Sequence, residues 1–416
     1  MASRDIIVGL DLGTTKVTTI IAEVDDQGAQ LIGLGHCESQ GMQRGVVINI
    51  EKTVEAIKES VLQAERMAGL QVESVIAGIA GDHIHSMNSK GVIAISRRNV
   101  KDRTGEITQA DVDRVVEAAK AVNLPMDREV LHVLPQEFAV DDQKHIKDPI
   151  GMAGVRLEAD VHIITGQVAL AQNIYRCVER AGMRVRDLVL EPLASSYSVI
   201  SEDERDIGVG LLDMGGGTSD IAVFHEGSIR MTSVIGLGGE NVTRDLSIGL
   251  RTPFDQAERI KLAHGHCYLP NVERQEEVEI PGIGGRPPTR VSRQQIAEFI
   301  QPRMEELFEL AMAEMRKANV WEMLNGGIVL TGGASEIEGA AELAQEIFEL
   351  PVKVGQPTGL GGLMETARSP IYATGVGLVL YGLEGRDPFL AMEGADESTV
   401  FRKILRRMRA WFEDFF

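Results

Sequence analysis

The stretch "IIVGLDLGTTKVTTIIAEVDDQG", Ile6–Gly28, returns in altered form as "IGVGLLDMGGGTSDIAVFHEG", Ile207–Gly227. Each copy has an apolar run, an aspartate, a Gly/Thr turn, a second apolar run and an acidic-Gly turn. Placing Asp11 on Asp213 also places Gly13 on Gly215. The pattern predicts two β-hairpins whose tips carry too little side chain to pack by themselves. Self-similarity at this distance points to a duplicated unit with two related halves.

Tips of this composition suit phosphate. Glycines at Gly13, Gly215, Gly216 and Gly217 let backbone N–H groups approach an anion with no Cβ in the way. Thr14, Thr15, Thr218 and Ser219 add hydroxyl donors, and Lys16 adds a point charge for a terminal phosphate. Asp11 and Asp213 are then the candidates to hold Mg²⁺, through water, because magnesium keeps much of its hydration. Two more glycine segments follow. "GLGGENVTRDL", Gly236–Leu246, leads from a strand into a helix beginning near Glu240, Asn241 and Thr243. "GGIVLTGGASEIEGAAELA", Gly326–Ala344, reads as a strand, a Thr-Gly-Gly turn and a helix opened by Ser335. Helix starts after such turns offer free N–H donors and the positive end of a macrodipole to a nucleotide. Between them, Glu258 and Lys261 are three apart, on one helical face.

The order of these motifs resembles the actin-like ATPase superfamily, from Ile6 to about Leu383. Asp11–Lys16 resembles its first phosphate loop and Asp213–Asp220 its second. "EPLASSYSVI" (Glu191–Ile200) and "SPIYATGVGLVLYG" (Ser369–Gly382) resemble its two connecting helices. The resemblance implies adenosine-binding turns at Gly238, Gly239, Glu240 and Asn241 and at Gly332, Gly333, Ala334 and Ser335, with Glu258 and Lys261 flanking base and ribose. It also puts Glu191 where relatives orient an attacking water, a general-base geometry. Whether ATP is turned over stays open; an ATP-binding switch with at most weak hydrolysis is the expectation.

Between His83 and Ile163 the chain reads as a separate module. It has an apolar strand at Gly91–Ile95, a "TQAD" capping box at Thr108–Asp111, and strand-like runs at Glu129–Leu134 and Val155–Ile164. This module resembles the relocated subdomain 1C of the FtsA family of bacterial cell-division proteins. "QGMQRGVVINIEKTVEAI", "VLPQEFAVD" and "GGRPP" resemble that family too. The implied fold is α/β, an actin-like duplicated two-domain architecture with a nucleotide cleft, a relocated 1C and a C-terminal amphipathic helix. Its divisions would be 1A at 1–82, 164–205 and 363–383, 1C at 83–163, 2A at 206–241 and 313–362, and 2B at 242–312, then a linker at 384–398 and a membrane helix at 399–416. The family implies ATP and Mg²⁺ as cofactors and head-to-tail filaments. It also implies docking of the tail of the tubulin-like FtsZ on 2B, where Arg286, Arg290, Arg293 and Arg303 would form a basic groove, and contacts with other division proteins through 1C.

The chain's end differs from the rest. A 416-residue protein with formal charge −20 closes on "FRKILRRMRAWFEDFF". On a helical wheel Val400, Phe401, Ile404, Leu405, Met408, Trp411, Phe412, Phe415 and Phe416 share an arc of about 160° at roughly 100° per residue. Arg402, Lys403, Arg406, Arg407 and Arg409 occupy the other face with Glu413 and Asp414. That distribution describes a helix lying in a membrane interface, with its cations toward anionic lipid. Together with the family resemblance, which implies the cytoplasmic face of the cell membrane at the division site, this makes a peripheral location the expectation. No run of 18 or more apolar residues occurs, and no secretory signal is visible. The acidic balance argues against nucleic acid as a partner. Cys37, Cys177 and Cys267 are too far apart for a paired metal or redox motif, and read as thiols in a reducing compartment.

Two other readings share the core. An actin-like scaffold of another machine, such as the type IV pilus assembly protein PilM, has a 1C-like module without this tail. A sugar or acetate kinase-type phosphotransferase would need a further aspartate base in a small-molecule pocket, and no extra DxG-type segment supplies one.

Overall fold

A computed structural model describes residues 5–25, 28–96, 105–273, 276–280, 287–362 and 365–384. Arg286, linker positions 385–398 and the basic, aromatic tail 399–416 lie outside the described residues.

The quoted hairpins are the centres of two sheets with one topology. In the first, β1 (Asp5–Leu12) pairs antiparallel with β2 (Lys16–Asp25), which pairs with β3 (Gly28–Glu38). On its other side β1 runs parallel to β4 (Ser74–Ile79). Labelling the next strands β5 (His85–Ala94), β6 (Arg128–Val140), β7 (Gln143–Ile146), β8 (Arg156–Gln167) and β9 (Arg184–Leu190), the first sheet has the order β9-β4-β1-β2-β3. The second consists of β10 (Val209–Met214), β11 (Ser219–His225), β12 (Ser228–Ile235), β13 (Ile328–Thr331) and β14 (Val352–Val354). Its order, β14-β13-β10-β11-β12, repeats that of the first strand for strand. The register repeats as well: Asp11 faces Thr18 across one hairpin and Asp213 faces Asp220 across the other. Duplication inferred from the sequence is thus present in strand order and in pairing.

Both faces of each sheet are covered, which is why the strands read as near-continuous apolar runs. Helix α1 (Ile50–Ala68) packs on β2 and β3; Asn49 caps it by accepting from Lys52 N–H. The inserted module carries α2 (Gln109–Lys120) on a sheet of order β7-β6-β8-β5. Thr108 and Asp111 form the expected capping box. Its first strand starts at His85, six residues before the predicted Gly91, and pairs with β8 as far as Arg156–Ala94; the polar residues at its start hid it. The strand predicted at Glu129–Leu134 runs on to Val140. After α3 (Val168–Arg180), the chain enters α4 (Glu191–Val199) and α5 (Glu202–Ile207). The second half adds α6 (Gly239–Gly249), α7 (Phe254–His264), α8 (Arg293–Lys317), α9 (Ala340–Phe348) and α10 (Ala373–Glu384). Three apolar clusters fill the halves and the module. Cys177 and Cys267 are buried and Cys37 is half-buried, all as free thiols.

The two predicted connecting segments, α4 and α10, cross in contact. A Cβ on Gly377 would stand 1.9 Å from the Ala194 carbonyl oxygen, so the helices approach this closely only with glycine there. Ser198 Oγ ties the crossing by donating to Ala373 O at 2.8 Å. Replacing Gly377 with Ala should therefore push the helices apart and cost about 1–3 kcal/mol. Thermal melting reads this as a lower midpoint; an unchanged midpoint would contradict the tight crossing.

Candidate nucleotide site

The hairpin tips face each other across a cavity of about 510 Å³, within the range of small-molecule sites. Its walls include Asp11, Gly13, Thr14, Thr15 and Lys16 from the first tip and Asp213, Gly215, Gly216, Gly217, Thr218 and Asp220 from the second. The tips nearly touch: a Cβ on Gly216 would lie 2.3 Å from Thr15 Cγ2. Glu191 enters from the start of α4, Thr374 from α10, and Glu240, Glu258 and Lys261 from α6 and α7.

Electrostatically the site is unbalanced. Asp11, Asp213 and Asp220 are buried and Glu191 is partly buried in the cavity wall, where Lys16 stands among them. Burial lifts Asp11 to about 6, opposed by Lys16 and reinforced by Asp213. Asp220 is lifted to about 8, by burial first and then by Asp213, while the Thr218 hydroxyl bond opposes the rise. Glu191 lies well above the usual carboxylate range through burial, with Asp11, Asp220 and Asp213 adding to the shift. Asp213 is raised too, less than burial alone would give, because Ser195 Oγ donates to Oδ2 at 2.5 Å and Thr374 Oγ1 at 3.3 Å. Lys16 donates to Ile371 O and stands 4.9 Å from the Tyr372 ring centre; burial lowers its pKa. Asp220 Oδ1 is buried with no hydrogen-bond partner. Three buried carboxyls, the partly buried Glu191 and an unpartnered carboxyl oxygen fit a hard divalent cation held through water.

The predicted positions do not all reach the cavity. Gly238, Asn241 and Ser335 stand behind its wall: Asn241 Oδ1 accepts from Gly238 N–H at 3.0 Å, and Ser335 Oγ donates to Gly332 O at 2.7 Å. Gly239, Gly332, Gly333 and Ala334 do line it. The expectation of free N–H donors at the start of α6 is corrected. Gly239 N and Glu240 N donate to Gly215 O and Gly216 O, each at 2.9 Å, so these groups hold the second tip in place instead. The helix predicted to open at Ser335 is also corrected. Residues Gly333–Glu336 form a 3-10 turn, Gly339 takes φ 86°, and α9 starts only at Ala340. Ser219, offered as a hydroxyl donor, points away and donates to Leu237 O at 2.9 Å. Glu258 and Lys261 do meet, at 2.8 Å, and Lys261 Nζ also donates to Gly239 O at 3.1 Å. Asp220 was missed as a candidate; its register opposite Asp213 was the signal.

The arginines expected in a basic groove divide. Arg303 is paired with Asp245 at 2.7 Å and with Glu306, and exposed Arg290 lies 3.7 Å from Glu277. Arg293 instead lines the cleft, where it bonds Glu276 and Glu338. The described arginines of the set are thus each paired with carboxylates and do not form one open cationic groove.

Duplicated sheets with crossing helices under a phosphate-sized cleft define a protein of the actin-like class. A family model described as "Cell division protein FtsA" matches residues 210–377, and one described as "SHS2 domain inserted in FTSA" matches 81–165. The chain is 45% identical over 416 residues to the cell division protein FtsA of Pseudomonas aeruginosa, covering 99% of this chain and 98% of that one. It is 42% identical to FtsA of Escherichia coli K12, covering 98% and 97%. This chain belongs to the FtsA family of cell-division proteins. Among solved structures, a PilM–PilN type IV pilus biogenesis complex matches with TM-score 0.67 at 16% identity over 91% of this chain and 99% of that one. MreB5 of Spiroplasma citri bound to ADP matches with TM-score 0.52 at 14% identity over 90% and 95%. At such identities these two share the fold.

The raised carboxyls have a consequence for stability. A group whose folded pKa exceeds its unfolded value keeps a proton that the unfolded chain has released, so stability is lost as pH rises between the two. For Asp220 that window runs from about 4 to about 8. With divalent cations chelated, Asp220→Asn should flatten the fall of the melting midpoint across that range. A slope matching the parent's would rule out a protonated Asp220.

Proposed function

We propose that this cell-division protein binds Mg-ATP in the cleft, assembles head to tail with its own copies, and anchors FtsZ filaments to the cytoplasmic membrane through its C-terminal tail. The observation carrying the nucleotide reading is the pair of facing hairpin tips, with Lys16, Asp11, Asp213, Asp220 and Glu191 lining the cavity between them. Asp11 and Asp213 would hold Mg²⁺ through water, with Asp220 within the same wall. The ion would neutralise phosphate charge and draw the carboxyl pKa values down.

The residues then divide the work. Backbone groups of the two tips cradle the phosphates, and Lys16 places a positive charge among them. Glu258 and Lys261 brace the nucleoside end of the cleft. Burial and the nearby Asp11, Asp220 and Asp213 raise the pKa of Glu191, and a bound cation would lower it, favouring the form that can accept a proton from water.

Head-to-tail assembly is a heterologous contact, which grows open filaments. The membrane reading rests on residues 399–416: one apolar arc, five basic residues and two acidic ones. Each cation near an anionic leaflet contributes roughly 1 kcal/mol, which offsets repulsion of the acidic body. No described helix is long and apolar enough to cross a membrane, consistent with attachment at the surface. The FtsZ tail would dock within residues 242–312, and other division proteins on the inserted module.

Asp213→Asn should abolish most of the Mg²⁺ dependence of ATP affinity, seen by titrating nucleotide with Mg²⁺ and with EDTA. A Mg²⁺ effect equal to the parent's would exclude Asp213 from the ion's shell. In flotation with anionic liposomes, the intact chain should carry FtsZ filaments upward, whereas a chain ending at Ser398 or carrying Trp411→Glu should leave them in solution. Equal flotation by all three would defeat the tether.

A further inference from the structure

We infer that Arg293 is the stacking platform for the nucleotide's purine ring. This inference rests on the nucleotide reading above and adds a specificity-determining residue to it.

Arg293 is the first residue of α8, yet its side chain reaches back into the cleft wall and is only 19% exposed. Each of its three guanidinium nitrogens donates a hydrogen bond. Nε donates to His264 O at 3.1 Å, Nη1 to Glu276 at 3.2 Å, and Nη2 to Glu338. These bonds lie in the plane of the group, so they fix that plane and leave its faces as the surface offered to a ligand. The partners come from separate places: the end of α7, the segment before the hairpin leading to α8, and the turn before α9. Gly265, Leu262 and Ile337, close to those partners in the chain, line the cavity together with Arg293.

A cation held by two carboxylates has little net charge left to attract a phosphate. It keeps its flat, polarisable face, which suits a heteroaromatic ring. A chain using Arg293 as a charge would not spend both Glu276 and Glu338 on it. Its three in-plane bonds also mean that ordering the platform costs nothing when the base arrives.

The test compares Mg-ATP with magnesium tripolyphosphate, which has the phosphates without the base, in the full chain by calorimetric titration. Arg293→Lys keeps the positive charge but loses the plane. ATP should bind about tenfold more weakly and tripolyphosphate as tightly as before. Parallel losses of both ligands, or no loss of either, would overturn the platform while leaving the nucleotide reading in place. A parent that binds neither ligand defeats both. Should Arg293→Lys fail to fold, Glu338→Gln loosens one edge of the guanidinium and should lower the ATP-to-tripolyphosphate ratio about threefold; an unchanged ratio there equally counts against the platform.

Discussion

The carboxylate of Asp213 is where the architecture meets its chemistry. It sits at the end of a central strand, and its Oδ2 is held by Ser195 from α4 and Thr374 from α10, whose hydroxyls are also 3.0 Å from each other. Those helices cross because Gly377 admits the Ala194 carbonyl. The tip of the second hairpin is therefore fixed to both connections between the halves. The Ser195 and Thr374 hydroxyls and Lys16 restrain the rise of Asp213, whereas Asp220, with one hydroxyl donor and with Asp213 and Asp82 nearby, reaches about 8. The same buried neighbourhood would be costly if left fully ionised. Protonation would relieve it, and a divalent cation bound as proposed would compete with those protons.

What the sequence made legible follows from local rules. The register of Asp11 with Asp213 captured the duplication because hairpin pairing is set by residues close in the chain. The capping box at Thr108 and the pairing of Glu258 with Lys261 are likewise short-range. The errors arise where distant segments decide. Ser335 looked like a helix cap, but its hydroxyl turns back to Gly332 and Gly339 delays the helix. The free N–H groups expected at α6 are consumed by carbonyls of the second tip, more than twenty residues upstream in the chain. Arg293 looked like its exposed neighbours because nothing nearby announces that Glu338 will face it. Pairing at that separation leaves no periodic trace.

The inserted module adds a constraint that neither half supplies alone. In each half the third strand of the hairpin system ends its sheet, and such an edge leaves backbone groups in need of partners. In the first half β3 is met by the chain near Gly361, where Leu31 N donates to Gly361 O at 2.8 Å. In the second half the equivalent strand, β12, is met by the module. Gln136 Nε2 donates to Ile229 O at 2.7 Å, and Ser86 Oγ to Thr232 O at 2.8 Å. His162 completes the contact: burial holds its pKa near 4, so the ring is neutral, and its two nitrogens meet Asn88 Oδ1 at 2.7 Å and Thr232 Oγ1 at 3.0 Å. A neutral ring offers one donor and one acceptor: Nδ1 donates to the Asn88 oxygen, which can only accept, and Nε2 is free to accept from the Thr232 hydroxyl. The duplicated edges thus diverged in what covers them, and the second was closed by a module inserted into the first half. Through Gln136, Ser86, His162 and Thr232, the position of the module is tied to that of the second sheet.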